Sequence, residues 1–337
     1  MREMQHNLRA IWLLRGLLAV MLAFGVEILL WTDPPGNTAA DWLLKAVTYL
    51  ALAAITLDLA ARYRIRDVYG LMLVVPVFAL LAGLLINPGF AHTEFPNTLL
   101  TRVLGAIGTF GLFAVGLILT LTDGNNSHYR RLFLGFSGWL GFYWGVWVRW
   151  TPELSDLLTE PVTLETMLLY SSVFILLMVI LFGAFTVTTR GSTDLQLGDM
   201  KMSIITWGGV IVTLIIVLII RALEDTIEIG PLLASAGLLV VSWGILWSQH
   251  NDKGRTLFDK HIPPKPISPL WIGLSIALFV GMTVIGYNRP LIDINDYSQY
   301  SFMEILFVIV GFTWFPLAAS VMSVRAIDRQ SRMSPGY

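Results

Sequence analysis

Two apolar runs lie near the amino terminus: residues 10–32, AIWLLRGLLAVMLAFGVEILLWT, and residues 42–61, WLLKAVTYLALAAITLDLAA. Each run supplies about the 20 mostly apolar residues that an α-helix needs to cross a bilayer core roughly 30 Å thick. Between them lies the segment Thr32-Asp33-Pro34-Pro35-Gly36-Asn37, whose prolines, glycine and asparagine are typical of turns. The stretch therefore predicts a transmembrane hairpin.

The same pattern repeats along the whole chain. Of its 337 residues, 55% are hydrophobic and 13% are charged, whereas a soluble domain has about 25% charged residues. Ten stretches qualify as membrane spans: roughly residues 10–32, 42–61, 68–87, 99–122, 132–150, 165–188, 202–221, 230–248, 270–287 and 301–324. Because no connector is long enough for a soluble domain, we predict an all-α integral membrane protein in which residues 1–337 form a single polytopic membrane domain.

The distribution of basic residues predicts the orientation of these spans. With the amino terminus inside, sixteen Lys and Arg residues fall in cytoplasmic segments and only four fall outside, namely Arg102, Arg149, Arg221 and Arg289. Cytoplasmic loops carry the excess of Lys and Arg in membrane proteins. We therefore expect both termini on the cytoplasmic side of the cell inner (plasma) membrane.

A short sequence similarity within the chain favours an internal repeat. Ten spans divide into five plus five, and an odd number per half inverts the second half, as in many secondary transporters. Gly141-Phe142-Tyr143-Trp144 in the fifth span matches Gly311-Phe312-Thr313-Trp314 in the tenth. These spans are equivalent under a five-plus-five inverted repeat.

Five ionisable residues lie within predicted spans: Arg15, Glu27, Lys45, Asp58 and Glu304. Intramembrane charges are costly unless they are paired or hydrated. In an antiparallel hairpin, residues at equal depth have a constant sum of residue numbers, and Arg15 with Asp58 and Glu27 with Lys45 share that sum to within one. We predict two structural intramembrane ion pairs, and a proton or ion relay is the alternative interpretation.

Aromatic, glycine and proline residues mark a second candidate region. Gly138, Gly141 and Gly145 recur on one face of the fifth span, where a neighbouring backbone can approach closely. The candidate region for ligand binding or packing consists of Trp139, Tyr143, Trp144 and Trp314, and the candidate hinges are Pro76 and Pro316. Prolines inside spans free backbone carbonyls and allow kinks.

The outer end of the fifth span, Trp144-Gly145-Val-Trp147-Val-Arg-Trp150-Thr151-Pro152-Glu153, resembles the tryptophan-rich segment of haem-handling proteins of cytochrome c maturation. That family carries Trp-Gly-x-x-Trp-x-Trp-Asp-Pro and a pair of outward-facing histidines. Here Thr151 replaces the aspartate, and His92 is the one histidine predicted outside. The resemblance covers ten residues and implies a haem-handling function.

Composition excludes several chemistries. There is no cysteine, so disulfides, thiolate catalysis, thiolate metal sites and iron–sulfur clusters are ruled out. None of the five histidines falls within a predicted span, which excludes an intramembrane bis-histidine haem. The 22 basic and 23 acidic residues give no basic patch for nucleic acid. We predict no catalytic residue, no metal and no cofactor.

Two functions from different classes remain open. The first is a non-catalytic membrane subunit of a larger complex, with energy-converting complexes among the candidates, and its partners would be the lipid bilayer and other membrane subunits. The alternative is a secondary transporter or flippase-like carrier of a small or amphipathic solute. The lack of a midplane charge favours the subunit, whereas the five-plus-five count and the deep prolines favour the carrier. Haem handling is a minor alternative.

Overall fold

The structure is a computed structural model that describes residues 2–92, 94–123, 127–150, 162–190, 197–248, 256–260, 265–289 and 305–333. Most of these residues are helical, none of them forms a strand, and their one β-type contact is an isolated bridge between Asp123 and Lys265. The predicted all-α fold class is therefore confirmed for the part of the chain that the structure describes. Glu304, Thr151, Pro152 and Glu153 lie outside it.

Ten long helices, α1 to α10, account for most of the described chain. Their bounds are α1 Arg2–Ala23 continuing as a π-helix Phe24–Leu29, α2 Ala39–Arg62, α3 Val68–Leu85, α4 a π-helix Leu99–Ile107 continuing as an α-helix Gly108–Thr122, α5 Ser127–Trp150, α6 Leu164–Thr189, α7 Ile204–Leu223, α8 Ile229–Ser248, α9 Pro269–Tyr287, and α10 residues 305–333 with a π-helix Val310–Trp314 followed by Phe315–Met333. A short helix Pro88–His92 follows α3.

Among the described residues, nine helices are long and apolar enough to cross a membrane. They fit a multi-pass membrane protein. The predicted span that falls short is α5, which is a 24-residue helix. Its many tryptophan, tyrosine and glycine residues make it less apolar than a helix of leucine, isoleucine and valine.

The helices form two compact units. The first unit comprises Met1–Leu43, Phe113–Asp194 and His261–Leu306, and therefore contains α1, α5, α6 and α9. The second comprises Leu44–Leu112, Leu195–Lys260 and Phe307–Tyr337, and contains α3, α7, α8 and most of α2, α4 and α10. Each unit draws helices from both halves of the sequence.

In the first unit, α1 packs antiparallel to α6. Gly16 lies against Leu181 at one end of the pair, the rings of Phe24 and Phe174 are 6.3 Å apart further along, and Trp31 meets Tyr170 edge-on at the other end. The residue numbers therefore rise along α1 as they fall along α6.

Also in the first unit, α5 and α9 run parallel in close contact through glycine. A methyl group on Gly141 or Gly145 would collide with the carbonyl oxygen of Phe279 or Thr283, and one on Gly286 would collide with that of Phe142. The predicted glycine face of the fifth span is therefore confirmed as a surface of close backbone approach.

In the second unit, α3 packs against α4 and α7. It runs antiparallel to α4, since Gly83 lies against Val103 and Gly111 lies against Phe78. Its carboxyl end meets the carboxyl end of α7, where Leu85 and Val217 share a buried apolar cluster. The helices α3 and α7 therefore run parallel.

Burial differs strongly between the early and late helices. In the most apolar 18-residue windows of α1 to α4, 67–78% of the residues are buried, against 11–28% in α6 to α10. The late helices expose large apolar residues such as Ile215, Ile219 and Val240. Such surfaces suit contact with lipid tails.

Candidate functional site

The clearest candidate site in the second unit is an apolar cavity at the middle of three helices. It is lined by Met72, Val75 and Pro76 of α3, Leu104, Gly108 and Leu112 of α4, and Val310, Trp314 and Phe315 of α10. Space for the centre of a water molecule amounts to about 20 Å³, which is room for about one water. The cavity brings together two of the predicted residues, Pro76 and Trp314.

Irregular backbone surrounds this cavity. Pro76 has no N–H, so the carbonyl of Met72 loses the hydrogen bond that a regular helix would give it. Leu104 belongs to the π-helical part of α4, and Val310 and Trp314 belong to that of α10. The π-helical turn of α10 ends two residues before Pro316, whose ring would clash with the carbonyl of Phe312 in a regular helix. π-Helical turns are frequent at functional sites.

Trp314 contributes the one polar side-chain group of the lining. Its indole Nε1 is buried and has no hydrogen-bond partner among the described residues. A buried donor without an acceptor costs about 1–3 kcal/mol. One residue of an otherwise apolar lining therefore carries an unused donor.

On the predicted outer side of the cavity, α4 and α10 cross with no side chain between them. A methyl group on Gly105 would collide with the Phe307 carbonyl oxygen, and one on Gly311 would collide with the Leu100 carbonyl oxygen. Each glycine lies three residues before a lining residue of its helix, Gly108 or Trp314. The two helices are therefore in close backbone contact next to the cavity.

On the predicted cytoplasmic side, α3 and α10 are joined by an ion pair. The Arg325 guanidinium donates to the Asp67 carboxylate and also stacks on Tyr69, with 5.5 Å from the guanidinium carbon to the ring centroid. Asp67 is the N-cap of α3 and accepts a hydrogen bond from the Gly70 N–H at 3.1 Å. Sequence patterns gave no indication of this pair, because its two members are far apart in the chain.

Asp58 is fully buried and surrounded by donors of the second unit. Its carboxylate accepts from Arg62 Nε at 2.8 Å and Nη2 at 3.0 Å, from the Met202 N–H at 2.6 Å and from Trp207 Nε1 at 3.2 Å. These bonds tie α2 to the start of α7. The predicted partner, Arg15, belongs to the first unit, and the Arg15–Asp58 pair stays a prediction.

The other three charges of the two predicted hairpin pairs are also buried. Glu27 is completely buried in the π-helical end of α1 and accepts a hydrogen bond from Thr32 Oγ1 at 2.7 Å. The Arg15 guanidinium stacks over Trp12, 4.7 Å from its ring centroid. Lys45 is 4% exposed and belongs to the second unit. The Glu27–Lys45 pair stays a prediction.

The predicted aromatic residues of α5 lie in the first unit. Trp144 is buried, donates from Nε1 to the Ile28 carbonyl at 2.8 Å and stacks on Phe279 with centroids 5.4 Å apart. Trp139 and Tyr143 are partly exposed, and their ring centroids are 5.1 Å apart. Trp144 is therefore packed against α1 and α9, and its role in ligand binding or packing stays a prediction.

Three of the four arginines on the predicted outer side bond to backbone carbonyls near helix ends. Arg221 donates to the Leu85 and Ile86 carbonyls at the end of α3, at 3.0 and 3.1 Å. Arg149 donates to the Tyr287 carbonyl at the end of α9, and Arg102 donates to the Phe90 carbonyl. Cations favour the negative end of the helix dipole. The sequence signal for these contacts, which was not used above, is that each arginine lies at the edge of an apolar run.

Comparison with protein families, curated proteins and solved structures gives no match for this chain. The apolar helices fit a multi-pass membrane protein, and the cavity is a candidate site within it.

Proposed function

We propose that the protein is a secondary carrier of a small or amphipathic solute, and that the cavity at Pro76 and Trp314 is its solute site. The strongest support for this proposal is that three helix segments with irregular backbone meet at one cavity. Carriers bind solutes near the bilayer midplane at discontinuous helices. Pro76, Gly108 and Trp314 each lie near the middle of their own span.

The helix directions support ten spans, with α5 as the fifth crossing. Helices α1 and α6 are both long enough to cross and pack antiparallel, so an even number of crossings must separate them. Only α2, α3 and α4 lie between them among the nine apolar helices. If α5 also crosses, four crossings separate α1 from α6, and that number is even as required.

The second unit supports the same count independently. Helix α3 runs antiparallel to α10, since Asp67 pairs with Arg325 while Pro76 and Trp314 share the cavity further along. Without α5, five crossings would separate α3 from α10, and they would run parallel. With α5 the number is six, as an antiparallel pair requires.

The two glycine contacts support a five-plus-five inverted repeat. Gly141 and Gly311 open the matching tetrads, and each lies against a main-chain carbonyl of another helix, in α9 and α4 respectively. In a five-plus-five repeat, span 5 is equivalent to span 10 and span 4 is equivalent to span 9. The same contact thus recurs at equivalent places.

The two sides of the cavity suggest how a carrier would open. The glycine crossing on the predicted outer side is tight backbone packing, whereas the cytoplasmic side has the partly exposed Asp67–Arg325 pair, with side chains 34% and 42% exposed. Exposed ion pairs contribute only about 0–1 kcal/mol. The cytoplasmic side is therefore the one that opens from this state.

Single-cysteine labelling tests the carrier, because the chain has no native cysteine. Val75→Cys places a thiol on the cavity, and Val74→Cys, one residue away on the same helix, is buried elsewhere. In vesicles of known orientation, an impermeant maleimide should modify Val75→Cys from the cytoplasmic side. Asp67→Asn should speed that reaction about two- to fivefold, as expected for losing a partly exposed ion pair.

The Val74→Cys variant separates opening from general loosening. It should stay unreactive in both backgrounds. The carrier proposal fails if Val75→Cys is inert from both sides in both backgrounds, or if Val74→Cys reacts equally fast.

A non-catalytic subunit of a larger membrane complex is the second candidate, and the Asp58 site favours it. That carboxylate is saturated by Arg62, Met202 and Trp207, so it serves structure and is not free to bind a solute or carry a proton. Purification from native membranes in a mild detergent, followed by mass spectrometry, decides between the two. A stoichiometric partner together with an inert cavity would support the subunit.

A further inference from the structure

We infer that the cavity takes an uncharged, mainly apolar solute whose polar end is a single oxygen, and that the Trp314 indole N–H donates a hydrogen bond to that oxygen. The inference rests on the proposed function only for the location of the solute site. It names the class of solute.

The lining excludes charged solutes. None of the nine lining residues carries an ionisable or amide side chain. A charge moved into such surroundings without a partner is strongly disfavoured. An uncharged group, by contrast, carries no such penalty.

The unused polar groups select the head of the solute. The Trp314 N–H is buried without a partner among the described residues, and Pro76 leaves the Met72 carbonyl without its helical donor. A carbonyl oxygen on the solute would satisfy the indole. A hydroxyl accepts one hydrogen bond, as the indole requires, and has a donor of its own to offer to a carbonyl such as that of Met72.

The size of the cavity matches one such oxygen. In this state there is room for about one water molecule, and a hydroxyl or carbonyl oxygen occupies a similar volume. The chain of a longer solute must then extend away from the cavity between the helices or into lipid.

The test is a nuclear magnetic resonance titration of the full-length protein, labelled with ¹⁵N at its tryptophan indoles, in detergent micelles. Trp314→Phe assigns the Trp314 signal, and Trp139→Phe assigns a control signal from the first unit. The probes share one chain: undecan-1-ol, undecan-2-one, undecane and undecylammonium.

We expect the alcohol and the ketone to move the Trp314 indole proton signal saturably. Undecane should not move it, because it has no acceptor. Undecylammonium should not bind at the site, and the Trp139 signal should respond to none of the probes. Tighter binding of the alcohol than of the ketone would assign the second hydrogen bond to the Met72 carbonyl.

Two variants provide an independent readout through the rise in unfolding temperature that each probe causes. Trp314→Phe should weaken alcohol binding about two- to tenfold, the loss expected for one hydrogen bond, whereas Trp139→Phe should not. Gly108→Ala adds a methyl group whose nearest neighbours are 3.8 Å away or more, so it should fold normally and weaken binding by filling the cavity.

The inference is overturned if the Trp314 signal does not saturate with either oxygen-bearing probe, or if undecylammonium binds best. A failed titration with cytoplasmic opening at Val75→Cys would leave a carrier with a different solute site. Successful binding without opening would identify a lipid-binding membrane protein that does not transport.

Discussion

The carboxylate of Asp67 pairs with the guanidinium of Arg325, 258 positions further along the chain. The same carboxylate caps the first turn of α3 by accepting from the Gly70 N–H. One side chain therefore fixes both the start of a cavity-lining helix and its distance from another.

The two roles of Asp67 can be separated by substitution. Asp67→Asn keeps an N-cap of similar strength and removes the charge, so we expect a loss of less than about 1 kcal/mol in the free energy of unfolding. Asp67→Ala also removes the cap and should cost about 1 kcal/mol more. Unfolding in detergent measures both. Equal losses would show that the cap contributes nothing.

The glycine contacts should be intolerant of even one methyl group. We expect Gly141→Ala and Gly311→Ala each to destabilise the protein by about 1–3 kcal/mol, because the methyl group meets backbone that cannot move aside. Gly183→Ala on α6 meets nothing within 4 Å and should be neutral or stabilising by up to about 1 kcal/mol. Thermal unfolding of the three variants in one detergent checks this. Similar behaviour of all three would contradict the glycine contacts.

The predicted hairpin pairs should differ in how well charge exchange rescues them. Glu27→Lys with Lys45→Glu should recover much of what either single change loses, as a direct ion pair requires. Arg15→Asp with Asp58→Arg should recover little, because an arginine at position 58 cannot accept from Met202 and Trp207. Yield of folded protein and unfolding temperature measure the rescue. No rescue of the Glu27 and Lys45 exchange would contradict that predicted ion pair.

Arg221 should stabilise the end of α3. Arg221→Gln removes two hydrogen bonds to the Leu85 and Ile86 carbonyls, and we expect it to cost about 1–3 kcal/mol. Glu224→Gln removes only the 42% exposed partner of Arg221 and should cost less than about 1 kcal/mol. Chemical unfolding in detergent compares them. An equal cost would locate the effect in the ion pair.

Much of the fold was predictable because hydropathy reports directly on membrane spans. The bounds of α2, α6 and α8 lie within a few residues of the predictions. The glycine face of α5 was also predictable, since its spacing is local. The hydropathy of α5 itself is ambiguous, because tryptophan and tyrosine belong equally to membrane interfaces.

The site was only partly predictable because its contacts are long-range. Pro76 and Trp314 could be named individually, but nothing in the sequence showed that they line one cavity. The Asp67–Arg325 pair and the bonds from Met202 and Trp207 to Asp58 join segments more than 140 positions apart. No periodicity carries such information.

The unequal burial of early and late helices has a consequence for biogenesis. A chain emerges from the ribosome amino end first, so α1 to α4 enter the membrane while the late helices that will cover them are still being made. Until those late helices are made, the packing faces of α1 to α4 must be in contact with lipid or with an insertase. These faces include the buried charged residues Arg15, Glu27, Lys45 and Asp58. Truncation after α4 is therefore expected to leave a nascent chain that membrane quality control recognises and degrades.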